Sequence, residues 1–106
     1  MNLNRILRSA CRRKILKALS KKQELNMMKL VHVVNSTYNE VDRNLRILEE
    51  EGLVAQRHRG HNRIVRLNLK NNDTLIVLKI LKLLNGSSDL KELRRKLSLI
   101  TEGNSN

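Results

Sequence analysis

Apolar positions in the first twenty residues recur at helical spacing. Leu3, Ile6, Leu7, Ala10, Cys11, Ile15, Ala18 and Leu19 share one side, which predicts a helix over 3–19. Arg5, Arg8 and Arg12 form a stripe on another face, and the polar stretch Ser20 to Glu24 reads as a connection. Asn26 is placed to cap a second helix over 27–34, with Met27, Leu30, Val31 and Val34 on its buried side. Asn35-Ser36 interrupts the pattern; Asn tolerates the left-handed backbone that ends a helix in a tight turn. Thr37 and Glu40 have capping-box spacing. The hydroxyl accepts from the third helical amide while the carboxylate reaches back to the cap amide. A third helix is expected over 38–51. Val41, Leu45 and Leu48 lie on one face, Asn39, Asp42, Arg43 and Arg46 on the opposite one, and Gly52 ends it.

The period then changes to two. Residues 53–58 and 63–69 read as strands, the second alternating Val65, Leu67 and Leu69 with Ile64, Arg66 and Asn68. Between them Arg59-Gly60-His61-Asn62 forms a polar turn in which Gly supplies a positive φ. Asp73 is expected to cap a fourth helix over 74–85, Gly86-Ser87-Ser88 to break it, and a last helix over 89–100 to carry Leu90, Leu93, Leu97 and Ile100. The polar tail 101–106 is expected to fray. The fold class is therefore mainly α with a small β-hairpin: a winged helix-turn-helix plus C-terminal dimerisation helices. Residues 1–73 would be the winged-helix domain, 74–100 the helical dimerisation region, and 101–106 a flexible tail.

Composition narrows the function. The chain has 106 residues, one domain's worth, with no proline, phenylalanine or tryptophan and a single tyrosine. The core must be aliphatic, and long helices meet no proline. Cys11 is alone, so neither an intramolecular disulfide nor a structural zinc site is expected. No apolar run approaches the roughly 18–20 residues of a membrane span, and no apolar block follows the N-terminal charges as a secretory leader requires. The formal charge is +12, from 22 Lys+Arg against 10 Asp+Glu. Such an excess on a small domain points to a polyanion, usually nucleic acid. The excess is uneven: residues 1–34 carry nine basic residues against Glu24, while 35–53 carry five acids against Arg43 and Arg46. The first 22 residues, with eight basic residues and no acid, also fit a mitochondrial presequence, kept as an alternative.

Arg12 to Leu19 resembles the first core helix of small prokaryotic and archaeal winged-helix regulators of the arsenic-repressor and multiple-antibiotic-resistance types. Thr37 through Val54 resembles their recognition segment: a hydroxyl cap, then Val41, Leu45, Leu48 and the Gly52-Leu53-Val54 exit. The similarity covers about residues 9–69. It implies a DNA-binding dimer with the 38–51 helix in the major groove and the hairpin on the backbone or minor groove. Asn35-Ser36 stands where those proteins have Gly and a buried aliphatic residue. Their metal-sensing clusters of cysteine and histidine have no counterpart here, so metal response does not carry over.

A recognition helix places exposed polar side chains against base edges. The candidates are Thr37, Tyr38, Asn39, Asp42, Arg43 and Arg46. Arg pairs with guanine, Asn with adenine, and a carboxylate accepts from cytosine. The free amides at the cap favour phosphate. The five acids Glu40, Asp42, Glu49, Glu50 and Glu51 weigh against affinity from this helix alone. The wing supplies charge instead: Arg57, His58, Arg59, His61, Asn62 and Arg63 surround Gly60, and each neutralised phosphate steepens the salt dependence. His58 and His61 are too few for a metal site, and His32 reads as a surface or partly buried residue. No metal or cofactor is expected. No nucleophile-base-acid set or phosphate loop is present, so no enzyme is expected.

The fourth helix is apolar nearly all round, so it needs cover on every side. A second copy provides it. Leu75, Leu78, Leu81 and Leu84, with Leu90, Leu93 and Leu97 at coiled-coil spacing, are the dimerisation candidates, joined by Leu7 and Cys11. Core packing is the ordinary fate of a lone Cys11; an intermolecular disulfide is the alternative. The expected partners are double-stranded DNA and a second copy, with no membrane and an effector left open. The expected setting is a prokaryotic or archaeal cytoplasm, on the nucleoid. An architectural chromatin protein and a protein- or RNA-docking module are the rival readings.

Overall fold

The computed structural model describes residues 1–84. Two helices, α1 (Leu3–Leu7) and α2 (Ala10–Lys22), stand where the spacing predicts one. Ser9 makes the break. Its backbone is extended and its hydroxyl accepts from the Arg12 amide at 3.2 Å. A cap requires non-helical backbone, so Ser9 starts the second helix by ending the first. Apolar residues remain in phase across the bend, and Ile6, Leu7, Cys11, Ile15, Leu16 and Leu19 are buried. The arginine stripe does not survive: Arg8 is exposed, Arg5 pairs with Glu50, and Arg12 is only 6% exposed.

The polar connection after α2 contains a strand. Gln23 turns the chain with a φ of 66°, and its carbonyl accepts from the Leu67 amide at 3.2 Å. β1 (Glu24–Asn26) then pairs antiparallel with β3 (Asn62–Leu67), placing Leu25 opposite Val65. β3 also pairs with β2 (Val54–Arg59), so the expected hairpin is two-thirds of a three-stranded sheet of order β1-β3-β2. Its turn is Gly60-His61, with Gly60 at a φ of 61°.

The central turn follows its sequence signals. α3 (Met27–Val34) is capped by Asn26, whose side chain accepts from the Lys29 amide at 2.8 Å. Asn35 is left-handed, with φ 58° and ψ 52°. The Asn35 and Ser36 amides donate to the His32 and Val31 carbonyls, closing the helix end. α4 (Tyr38–Glu50) begins at Thr37, which accepts from the Glu40 amide at 3.1 Å. The second arm of the expected capping box goes elsewhere: the Glu40 carboxylate accepts from the Ser36 hydroxyl at 2.7 Å.

α5 (Asn72–Leu83) is capped by Asn71, not Asp73. Asn71 accepts from the Asp73 amide at 3.0 Å and donates to the Gly52 carbonyl at 3.0 Å. That double role ties the exit of α4 to the start of α5, and Asp73 lies in the favourable first turn. Val77, Leu81 and Leu84 of this segment join one core with α2, α3, α4 and the sheet. The expected break at Gly86-Ser87-Ser88, the 89–100 helix with Leu90, Leu93, Leu97 and Ile100, and the 101–106 tail lie outside the described residues.

Candidate nucleic-acid interface

α4 divides as its pattern demands. Val41, Leu45 and Leu48 are fully buried. Thr37, Asn39, Arg43 and Arg46 are exposed, and Tyr38 is 45% exposed. The acids at its far end face α1: Glu50 pairs with Arg5 at 2.6 Å, and Glu51 accepts from the Asn2 amide at 2.9 Å. Surface pairs of this kind contribute little stability, but these give the carboxylates local partners.

Asn44 is a buried residue of this helix that its polarity conceals. Its Nδ2 donates to the Glu40 carbonyl at 2.7 Å. Its Oδ1 accepts from Arg12 Nη1 at 2.9 Å and from the Ser9 hydroxyl at 3.3 Å. Burial, reinforced by Arg8 and Arg5, holds the Arg12 guanidinium below its usual pKa. One buried amide thus fixes α4 against the first turn of α2 and sets the angle at which the polar face is presented.

The wing is joined to α4 by a second cluster. Arg63 donates to Asp42 Oδ1 at 2.6 Å, to Gln56 Oε1 at 2.7 Å and to the Tyr38 hydroxyl at 3.1 Å. Its guanidinium lies 5.9 Å from the centre of the Tyr38 ring. Arg46, one turn along α4, holds the other Asp42 oxygen at 3.1 Å. Asp42 and Arg63 side chains are 20% and 17% exposed. The hydrogen bond from Arg63 holds the Asp42 carboxyl below its usual pKa, with Arg46 adding to it. For Arg63, burial works against the charge, but the bonds to Tyr38 and Asp42 outweigh it and raise the pKa.

A depressed carboxylate pKa stabilises the fold above the unfolded value, and that contribution is lost as pH falls through the folded one. Wild-type unfolding free energy is therefore expected to decline below about pH 4, in part through Asp42. Asp42→Asn should be less stable at pH 7 and flatter over the acidic range. Parallel urea titrations from pH 6 to 2.5 measure it; equal acid slopes in both proteins would contradict the assignment.

The two sheet faces differ. Val54, Gln56, His58, Arg63, Val65 and Leu67 alternate toward the α4 side: the base of this face is core, and Gln56, His58 and Arg63 line an open groove with Tyr38, Asp42, Arg46 and Glu49. The opposite face carries exposed Arg57, Arg59, Asn62 and Arg66, with His61 exposed at the tip. Arg57 lies 3.8 Å from Glu24 of β1, an exposed and weak pair. Arg66 and Gln56 were not among the sequence candidates. Strand alternation from Arg57 and Ile64 would have placed Arg66 on the basic face; Gln56 carries no such signal.

Among the described residues no group of three or more His, Cys, Asp or Glu could hold a metal, and no helix is long and apolar enough to cross a membrane. His32 is exposed. Burial first, and then Glu40, pushes the Cys11 thiol up. Of the dimerisation candidates, Leu7, Cys11, Leu81 and Leu84 are covered by the chain itself, each 8% exposed or less. Leu78 is half-buried and Leu75 is 44% exposed, beside Ile76 at 46% and Leu83 at 39%. Leu90, Leu93 and Leu97 lie outside the described residues.

The three-helix core with its wing has counterparts among solved structures. The antimony-specific transcriptional repressor AntR matches with a TM-score of 0.64 and 22% identity, over 98% of this chain and 78% of that one. Mb0332 from Mycobacterium bovis, a homodimeric winged helix-turn-helix DNA-binding domain described as a possible ArsR-family regulator, matches with 0.65 and 19%, over 81% and 77%. The transcriptional regulator BldR from Sulfolobus solfataricus matches with 0.58 and 24%, over 94% and 78%. No family model and no curated protein matches the sequence. The chain has the winged-helix fold, mainly α with a small antiparallel sheet, and these structural neighbours are transcriptional regulators. At such identities the likeness is one of fold, and function has to be argued from the site.

Proposed function

We propose that the protein is a sequence-specific, double-stranded DNA-binding transcriptional regulator that acts as a homodimer in the cytoplasm, on the nucleoid. One observation carries the reading: Asn39, Arg43 and Arg46 project from the face of α4 opposite the core, beside a wing whose Arg57 and Arg59 are exposed. A helix of this width enters a major groove, and the wing then meets the flanking backbone. Arg43 and Asn39 read base edges; Arg57, Arg59, His61, Asn62 and the cap at Thr37 hold phosphates. Mb0332 is described as homodimeric, and here the exposed Leu75 and Ile76 form an apolar patch on α5 that a second copy would cover. Two α4 helices then read half-sites about 34 Å apart.

Selection from a random duplex pool, followed by titration of the selected site and a scrambled control, tests the proposal. A specific regulator prefers its site by about 10³-fold or more. Arg43→Ala is expected to lose about 1–3 kcal/mol on the selected site and little on the control. Arg59→Ala should weaken both alike and make the salt slope shallower by about 1. Steep salt dependence with no selected site would favour the architectural chromatin reading. No duplex binding at about 50 mM salt would leave a protein- or RNA-docking module.

A further inference from the structure

A carboxylate at the centre of a surface meant for phosphate is a cost unless it has a task. Asp42 sits on the outward half of α4, between Arg43 and the wing, where approaching phosphates would repel it. Yet it is the best-satisfied acid of the described interface. Arg63 and Arg46 hold one oxygen each, at 2.6 and 3.1 Å. Two of the cations nearest the reading face are thus tied to one internal anion, whose single negative charge offsets one of their two positive charges as a backbone phosphate would. Arg43, the neighbouring residue on the same helix, is exposed and has no such partner among the described residues.

We infer that Asp42 is an internal stand-in for phosphate that competes with the DNA backbone for Arg63 and Arg46, so that it limits the sequence-independent part of the affinity. The inference rests on the DNA-binding reading above and deepens it. Counterion release grows with each cation free to neutralise phosphate, whatever the sequence. One internal carboxylate shared by two guanidiniums withholds about one such contact's worth of charge from every duplex alike, while Asn39 and Arg43 keep their access to base edges. Affinity therefore falls by about the same factor on random DNA and on the proper site, so base contacts make up a larger share of the total while the ratio between the two duplexes stays as it was. Arg63 keeps a positioning task at the same time: its bond to Tyr38 holds the wing against α4, and its bond to Gln56 braces β3 against β2.

Salt titrations of wild type, Asp42→Asn and Asp42→Asn/Arg63→Gln on a random duplex test this. Asp42→Asn is expected to bind random DNA more tightly. Its log affinity against log salt should be steeper by about 0.9. Its advantage over wild type should then shrink about three- to fourfold between 50 and 200 mM salt. Adding Arg63→Gln should remove most of the extra slope, because it takes away the positive charge that Asp42→Asn uncovers. The ratio of selected-site to random affinity should stay close to that of wild type in Asp42→Asn, because the freed charge acts on every duplex alike. Circular dichroism establishes that each variant is folded, and Asp42→Ser repeats the charge removal with a smaller side chain. A wild-type slope retained in both folded Asp42 variants, with wild type binding DNA, overturns the inference and leaves the DNA-binding reading intact. Failure of wild type to bind any duplex overturns both.

Discussion

Asn44→Ala is expected to lower the unfolding free energy by about 3 kcal/mol and the melting temperature by about 10–20 °C. The size comes from what the amide leaves behind. The Arg12 guanidinium is buried, and its Nε already has no hydrogen-bond partner among the described residues. Asn44 Oδ1 accepts its Nη1, so removing that oxygen strands a buried cation. The Ser9 hydroxyl loses an acceptor and the Glu40 carbonyl a donor in the same step. Replacing both partners by apolar residues behaves differently, because no polar group is then orphaned. Arg12→Met/Asn44→Leu should recover most of the loss, giving a coupling of at least about 1 kcal/mol in a double-mutant cycle. Urea unfolding measures all four corners. If Asn44→Ala stays within about 0.5 kcal/mol of wild type, the guanidinium has found water and no buried cation is stranded.

Leu45→Ala, at the adjacent position, should cost as much by a different route, about 3 kcal/mol and within the 2–5 kcal/mol span of such truncations. Leu45 is fully buried in a core built from aliphatic side chains with no aromatic ring. Removing its branched end loses apolar burial and leaves a cavity that neighbours on α2 and α4 fill only in part. Ile76→Ala provides the contrast. Ile76 is 46% exposed on α5, so an isolated protomer should lose little. A loss below about 1 kcal/mol for Leu45→Ala would mean that the core collapses around the gap.

The helix-turn-helix was legible because each of its boundaries has a local chemical cause. Asn26, Asn35 and Thr37 do with their own side chains or backbone what their spacing predicts. Ser9 obeys the same rules, yet its signal was hidden: the apolar residues keep phase across it, so periodicity joins two helices into one. β1 has three residues, too few for alternation, and exists because β3 offers it an edge. Asn71 and Asp73 are both plausible caps locally, and the choice falls to Asn71 through its bond to Gly52, nineteen residues away.

The exposed half of the candidate site was legible for a similar reason. Asn39, Arg43 and Arg46 follow from helical phase once Val41, Leu45 and Leu48 are assigned inward. The internal ties were not. Nothing local relates Asp42 to Arg63, and the pairing appears only when the wing folds back over α4. Arg12 and Asn44 ran against expectation because arginine and asparagine are ordinarily exposed; each is buried here with the other's help.

Tyr38 gives the molecule an optical property that its composition makes unusually clean. It is the single tyrosine of a chain with no tryptophan or phenylalanine, and its hydroxyl touches Arg63 where helix and wing meet. Near-ultraviolet emission and dichroism therefore originate at that one junction, with the remainder of the polypeptide dark. Detachment of the wing would register there without a dye or a tag, and before or apart from the loss of helix seen at shorter wavelengths.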